Sequence, residues 1–138
     1  MSLAVVILAA GKGTRMKSAL PKVLHAVAGK PMVQHVGGAA SSLDPANTVI
    51  VYGHGGDQVK ATVTGEQLAW AEQAEQLGTG HAVAQAMPHV KEDMVLVLYG
   101  DVPLIRPETL KDFVASVDDN TLALMTLTLN DPNGYGRI

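Results

Sequence analysis

Residues 4–10 form an unbroken apolar run that leads directly into a loop containing Gly11 and Gly13, and this junction limits the possible fold more than any other stretch. The run is short and rich in Val, Ile and Ala, which is typical of a central parallel strand covered on both faces. Glycines lack a Cβ, so the loop backbone can turn sharply and bring its N–H groups against an anionic oxygen, while Lys12 and Arg15 add positive charge. The pattern predicts a strand followed by a phosphate-binding loop.

The glycine loop matches neither of two well-defined nucleotide-binding motifs. Met16 stands where the dinucleotide-binding fingerprint has its third glycine, and no Gly-Lys-Ser/Thr follows at the spacing of a P-loop. An ordinary turn with solvated Lys and Arg side chains is therefore an alternative interpretation of this loop when it is considered alone.

Composition limits the class of protein. The 138 residues suffice for one domain with one core, and 47% hydrophobic with 17% charged residues lies in the range of globular proteins. The formal charge of −3 gives no general attraction to nucleic acid or to an anionic membrane. No apolar stretch approaches the roughly 20 residues of a membrane span. The absence of cysteine excludes disulfides, zinc thiolates and thiol nucleophiles, and it fits a cytoplasmic location.

Strand and helix patterns alternate along the chain. Short apolar runs predict strands at 4–10, 49–52, 68–73, 94–99 and 122–129. Helical spacing predicts four helices, which begin near Pro31, Asp57, Thr79 and Pro107, with Asp57 as the cap of the second. This alternation indicates an α/β fold with a doubly wound, mostly parallel, Rossmann-like sheet whose ligand site lies at the carboxyl ends of the strands.

Polar residues that follow these strands are candidates for ligand contacts. Lys22 lies near the glycine loop on a segment stiffened by a proline, although spacing alone favours a plain surface lysine. Gln73 and Gln76 stand beside a Gly-Thr-Gly turn, where amide and backbone groups can match a base edge, or where Thr79 can simply cap the helix. Asp101 follows the most apolar strand, and one carboxylate beside phosphates suits Mg²⁺, the alternative being an aspartate that caps a turn.

Five segments together resemble a known family. Residues 8–16, 20–25, 73–82, 98–104 and 131–138 closely resemble the bacterial N-acetylglucosamine-1-phosphate uridylyltransferases. The glycine loop by itself indicates only the wider family of sugar-phosphate nucleotidylyltransferases, and the segment 73–82 narrows the resemblance. The resemblance extends over the whole chain.

The resemblance implies a role for each matching residue. Contacts to uracil, base and ribose are implied for Leu8, Ala9, Ala10, Gly11, Gln73, Gly78 and Thr79. Phosphate contacts are implied for Gly13, Arg15 and Lys22, while Tyr99, Gly100 and Asp101 are expected to line the site, with Asp101 on Mg²⁺ and Gly136 near the sugar. Arg15, Lys22 and Asp101 are the implied catalytic residues.

The reaction of this family is a direct displacement. A phosphate oxygen of N-acetylglucosamine 1-phosphate attacks the α-phosphorus of UTP, which releases pyrophosphate and forms UDP-N-acetylglucosamine. Such a transfer needs positioning and charge neutralisation more than a protein nucleophile. A lysine, an arginine and a divalent ion on a carboxylate are the groups that this chemistry requires.

Members of the family continue beyond the part that this chain resembles. They add a second magnesium ligand, more sugar contacts and, in bifunctional members, a β-helical acetyltransferase domain that forms trimers. We therefore expect residues 1–138 to be the N-terminal part of a nucleotidylyltransferase (pyrophosphorylase) domain, without the acetyltransferase domain, that binds UTP, turns it over slowly and can self-associate through exposed apolar surface. A UTP-binding fragment without catalysis and a dinucleotide-binding oxidoreductase domain are the alternatives.

Overall fold

A computed structural model describes residues 1–136 and 138 of the chain as alternating strands and helices. The strands are β1 (Leu3–Ala9), β2 (Ala26–Val27), β3 (Lys30–Pro31), β4 (Asn47–Tyr52), β5 (Leu68–Glu72) and β6 (Met94–Tyr99). The α-helices are α1 (Met32–Ser41), α2 (Gly56–Thr62), α3 (Thr79–Ala86) and α4 (Pro107–Ala115), and 3₁₀ turns cover Thr14–Met16, Lys22–Leu24 and Met87–His89. No helix in the described part of the chain is long and apolar enough to cross a membrane.

Four of the strands form one parallel sheet in the order β5-β4-β1-β6. From β1 the chain moves outward to β4 and β5, and it then crosses back over the sheet so that β6 pairs with the other edge of β1. The short strands β2 and β3 form a separate antiparallel pair. The predicted doubly wound, parallel α/β fold is confirmed, and the connections that leave β1 and β6 open a crevice at their carboxyl ends.

Helices cover both faces of this sheet because its strands carry apolar residues on both sides. On one face, Val5 and Ile7 of β1 pack in one cluster with residues of α1, α2 and α4. On the other face, Val6 packs with Ala82 and Ala86 of α3. Alternating residues of β1 therefore serve opposite layers, and the same alternation decides which side chains at its carboxyl end reach the crevice.

Two local predictions are wrong. Asp57 does not cap α2, because Gly55 occupies the N-cap position in a left-handed conformation, with φ of 75°, and no side chain bonds to the helix end. Residues 122–129 do not form a strand, and Leu122 is 97% exposed. Their backbone groups find no neighbouring strand in the described structure, so the alternation of apolar residues lacks the pairing that a strand requires.

Candidate functional site

Two glycines hold the segment that carries Lys22 against the rest of the fold. Gly13 has a left-handed φ of 59°, and a Cβ at this position would lie 2.5 Å from the Cβ of Lys22. Gly55 would place a Cβ 2.7 Å from Cγ of Pro21. Real Cβ atoms do not approach other atoms so closely, so both positions require glycine. The loops that follow β1 and β4 therefore fix this segment from two sides.

The ends of β1 and β6 approach each other closely and place Asp101 beside the same segment. The N–H of Gly100 donates to the carbonyl oxygen of Leu8 at 2.9 Å, and a Cβ at Gly100 would lie 3.2 Å from Cγ1 of Val23. Lys22 Nζ donates to Oδ2 of Asp101 over 2.7 Å, and the two side chains are 41% and 33% exposed. The predicted phosphate-binding cation and the predicted metal-binding carboxylate thus form an ion pair.

The other half of the site lies where β5 ends and α3 begins. Gln73 is only 3% exposed, and its backbone N–H continues the sheet by donating to the carbonyl oxygen of Tyr52 at 2.8 Å. Its side-chain Nε2 donates to the carbonyl oxygen of Gly78 at 3.1 Å and lies 3.0 Å from Nδ1 of His81. Gly78, with φ of 103°, is the N-cap of α3, so Thr79 is the first residue of the helix and does not cap it. The first N–H groups of a helix have no partner within it and are available to a ligand.

Both halves face one open cleft with a volume of about 300 Å³. Most of the residues predicted to contact the nucleotide line it: Leu8, Ala10, Gly11, Lys22, Gln73, Gly78, Thr79, Tyr99 and Asp101. The cleft therefore combines apolar walls with a cation, a carboxylate and backbone donors. Such a lining suits a ligand that has a flat apolar part and a charged end.

Five predicted residues do not line the cleft. The side chain of Ala9 packs into the core on the α1 face, because it alternates with its neighbours in β1. Gly13 and Gly100 act through the close backbone approaches described above, and Arg15 is exposed on the 3₁₀ turn after the glycine loop. Gly136 lies in a second depression, whose lining consists of residues between Leu124 and Ile138. The structure does not bring Gly136 to the nucleotide cleft.

Three further residues line the cleft. Gln76, whose amide the sequence predicts beside that of Gln73 as a group that can match a base edge, donates from its side-chain nitrogen to the backbone oxygen of Gln73 at 3.4 Å. Val23 and Ala82 also line the cleft, and their apolar side chains gave no signal that separates a ligand wall from ordinary core. Gly53 is a further structural requirement, because a Cβ there would lie 2.7 Å from the carbonyl oxygen of Ala10.

Asp101 offers one carboxylate rather than a complete metal cage. The described residues contain no cluster of three or more His, Cys, Asp or Glu side chains that could hold a metal ion. The alternative was an aspartate that caps a turn, and the hydrogen bond described for the Asp101 carboxylate goes to Lys22 Nζ rather than to a backbone N–H of the turn. A single carboxylate fits Mg²⁺ if phosphate oxygens are also present, because this ion commonly takes one or two carboxylates and fills its remaining positions with phosphate and water.

Comparison with known proteins gives matches over the whole chain. Residues 5–133 match the family described as the MobA-like NTP transferase domain. The chain is 92% identical to the bifunctional protein GlmU of Alcanivorax borkumensis over 138 residues, which is all of this chain and 30% of that protein. The chain therefore spans about a third of the length of such relatives.

Solved structures share the fold at much lower sequence identity. A UDP-glucose pyrophosphorylase in complex with UDP-glucose superposes with a TM-score of 0.71 at 19% identity, covering 84% of this chain and 53% of that one. Rv0371c of Mycobacterium tuberculosis in complex with manganese gives a TM-score of 0.66 at 19% identity, covering 83% of this chain and 59% of that one. At these identities the likeness shows the fold.

Proposed function

The chain belongs to the family of MobA-like NTP transferase domains, and we propose that it binds UTP for transfer of the uridylyl group to N-acetylglucosamine 1-phosphate. One observation carries this proposal: a single cleft joins the Lys22–Asp101 ion pair to the Gln73 amide and the amino end of α3. We propose that residues 1–138 are the N-terminal part of the nucleotidylyltransferase domain. Membership of this family contradicts the alternative of a dinucleotide-binding oxidoreductase domain, which also lacked its third glycine at Met16.

The phosphate end of the cleft supports transfer by charge neutralisation. Lys22 Nζ lies on a segment that two glycine contacts fix, so this cation is held in place before a ligand arrives. The glycine loop adds backbone N–H groups, and Arg15 stands exposed beside it, where it can approach a triphosphate. A displacement at the α-phosphorus needs this kind of positioned positive charge more than an activated protein nucleophile.

We propose that Asp101 holds the Mg²⁺ ion of the reaction. A bound divalent ion supplies charge that polarises the phosphoryl oxygens and offsets the charge that develops during transfer. The manganese complex of the fold relative from Mycobacterium tuberculosis supports a divalent ion on this fold. Lys22 Nζ pairs with Oδ2 of Asp101 in the structure, and the second carboxylate oxygen, Oδ1, is left to offer the metal.

The base end of the cleft supports uridine recognition. Gln73, Gly78 and Thr79 line it, and they combine an amide with backbone groups at a helix start. The complex of the pyrophosphorylase relative with UDP-glucose is consistent with a uridine nucleotide. Because UTP is made and used in the cytoplasm, we place the reaction there.

The identity of the second substrate rests on the resemblance to the bacterial uridylyltransferases. Gly136, the residue implied near the sugar, lies outside the nucleotide cleft, so the described cleft is built for the nucleotide rather than for the sugar. This observation favours a second candidate function for the 138-residue chain, which is UTP binding without turnover. Leu122, Leu124 and Leu127, which are exposed, supply the apolar surface for the proposed self-association.

The test measures UTP binding and pyrophosphate release on the same preparation. Calorimetric titration of the chain with UTP in the presence of Mg²⁺ is expected to show saturable binding, with CTP bound more weakly. Pyrophosphate release with UTP and N-acetylglucosamine 1-phosphate is then compared with that of the full-length Alcanivorax borkumensis relative. Binding without detectable release supports the second candidate, slow release supports transfer by an incomplete site, and equal rates support a complete site. Failure to bind any nucleoside triphosphate would overturn the proposal.

A further inference from the structure

The side-chain amide nitrogen of Gln73 is fully used within the protein. An amide nitrogen carries two hydrogens. One donates to the carbonyl oxygen of Gly78 at 3.1 Å, and the other has Nδ1 of His81 as its acceptor at 3.0 Å. Gln73 is 3% exposed, so an N–H left without a partner there would be costly. What Gln73 can still offer a ligand in the cleft is Oε1, a hydrogen-bond acceptor.

His81 helps to decide which way this amide faces. Nδ1 accepts a hydrogen bond only when the ring is neutral and carries its proton on Nε2. If the Gln73 amide turned by 180°, Oε1 would face two other acceptors, the carbonyl oxygen of Gly78 and the lone pair of Nδ1. No hydrogen would lie between these atoms, so both hydrogen bonds would be lost. On the far side of the ring, the amide nitrogen of Gln85 lies 3.3 Å from Nε2 of His81. In this tautomer both nitrogens are donors, so this contact is not a hydrogen bond, and Gln73 is the side chain whose amide pairs with the ring.

We propose that His81 is a positioning residue for base selection, which holds the Gln73 amide so that Oε1 is the group presented to the base. This inference rests on the proposed uridine-nucleotide function of the cleft. Uracil presents an N3–H donor beside a C4 carbonyl acceptor, whereas cytosine presents an N3 acceptor beside an amino donor. An acceptor at Gln73 next to backbone N–H groups at Gly78 and Thr79 matches uracil and opposes cytosine. His81 acts through Gln73 and needs no contact with the ligand.

The experiment compares UTP and CTP affinities of variants of the 138-residue chain by calorimetric titration. His81→Phe keeps an aromatic ring but removes the acceptor, and we expect the ratio of CTP to UTP dissociation constants to fall about tenfold, the value of one buried hydrogen bond. His81→Asn can return an acceptor oxygen near the position of Nδ1, and we expect it to restore the ratio. His81→Gln places its amide nearer the position of Nε2, and we expect it not to.

Two controls separate positioning from a general loss of structure. Gln85→Ala removes the side chain on the other side of the ring, which makes no hydrogen bond to it in this tautomer, and is expected to leave the nucleotide ratio unchanged. In a Gln73→Leu background, substitution of His81 is expected to shift the ratio no further, because the amide that it positions is gone. Thermal unfolding is recorded for every variant, and the Asn and Gln variants carry the comparison if the Phe variant does not fold.

The possible outcomes separate this inference from the proposed function. A wild-type chain that prefers UTP, together with a His81→Phe variant that keeps the wild-type ratio, would overturn the positioning role and leave the proposed function standing. A variant that loses affinity for both triphosphates in proportion would do the same, since that is the result of a purely structural role. A wild-type chain that binds neither triphosphate would overturn the proposed function and this inference with it.

Discussion

Asp101→Asn is expected to have opposite effects on UTP binding with and without a divalent metal. In the structure, Asp101 Oδ2 accepts a hydrogen bond from Lys22 Nζ at 2.7 Å, so the cation that we propose for phosphate binding is already paired. Without metal, UTP must separate the lysine from the carboxylate before it can use the cation. The amide of the variant keeps the shape of the side chain and removes its charge. Metal-free UTP should therefore bind the variant more tightly than the wild type.

The size of the effect follows from the exposure of the pair. Two unit charges about 4 Å apart attract by about 1 kcal/mol in bulk water and by about 4 kcal/mol at an effective dielectric constant of 20. The side chains are 41% and 33% exposed, so the lower figure applies. Measured exposed pairs also contribute roughly 0.2–1 kcal/mol. Releasing about 1 kcal/mol corresponds to about a fivefold gain in metal-free affinity. Removal of a negative charge near the triphosphate acts in the same direction.

The assay is calorimetric titration with UTP at low ionic strength, once with a chelator and once with Mg²⁺. The wild type is expected to gain affinity when Mg²⁺ is added, and Asp101→Asn is expected to lose most of that gain, so the order of the two proteins reverses. Asp112→Asn makes the same charge change on the exposed surface of α4 and should match the wild type in both conditions. Equal or weaker metal-free binding by Asp101→Asn would refute the argument that this carboxylate restrains Lys22.

Two further predictions concern the loop geometry and the stability in acid. Gly13→Ala places a Cβ 2.5 Å from the Cβ of Lys22, while Gly29→Ala, at φ of 77°, meets no atom within 4 Å. Each alanine in the left-handed conformation should cost roughly 1–2 kcal/mol of stability. Only Gly13→Ala should weaken UTP binding, by about tenfold, because it displaces one charged contact. Equal UTP binding by the two variants in titration would contradict this. Hydrogen bonds from Ser2 lower the pKa of Asp93. Their stabilising effect is therefore present above the unfolded pKa of about 3.9 and is lost as pH falls through the lower folded pKa. Asp93→Asn should lower the urea midpoint at pH 6 and approach the wild type at pH 3 and below, and a pH-independent difference would count against this assignment.

The main sheet was predictable from the sequence because short runs of consecutive apolar residues indicate its strands. Residues 4–10 and 94–99 are apolar on both faces, and the structure places them as the adjacent strands β1 and β6; helices cover both faces of β1, whereas Val97 and Tyr99 on one face of β6 are exposed. In such a sheet the carboxyl ends of neighbouring strands meet, so the polar residues after them are the ones to expect in a site. Asp101 is predicted on these grounds, whereas spacing alone favours a plain surface lysine at Lys22 and its phosphate role comes from the family resemblance; the ion pair brings the two together.

Contacts between loops were not predictable in the same way. Lys22 and Asp101 are 79 residues apart, and their meeting depends on Gly13 and Gly100 allowing close backbone approach. The bond between Gln73 and His81 depends on the angle at which α3 leaves its N-cap, and no periodicity encodes that angle. Alternation along β1 decides where the side chain of Ala9 lies, since it belongs to the segment before the glycine loop but faces the core.

The incorrect prediction of a strand at 122–129 shows how much an apolar sequence pattern can indicate about a strand. Leu122 and Leu124 alternate with Ala123 and Met125, so both faces of the segment are apolar, as in a strand covered by two layers. Such a pattern indicates that a strand at this position would need burial on both faces. The neighbouring strand that would form its hydrogen bonds, and the layers that would cover its faces, must come from elsewhere in the fold. β6 is the last strand of the sheet on its side, and its second edge has no partner among the described residues. Leu122 and Leu124 are 97% and 65% exposed, so no layer covers them in the described structure. If this segment paired with β6 and nothing covered it, its backbone hydrogen bonds would be satisfied but both of its apolar faces would remain in water. Such a strand would lack the burial that its sequence requires.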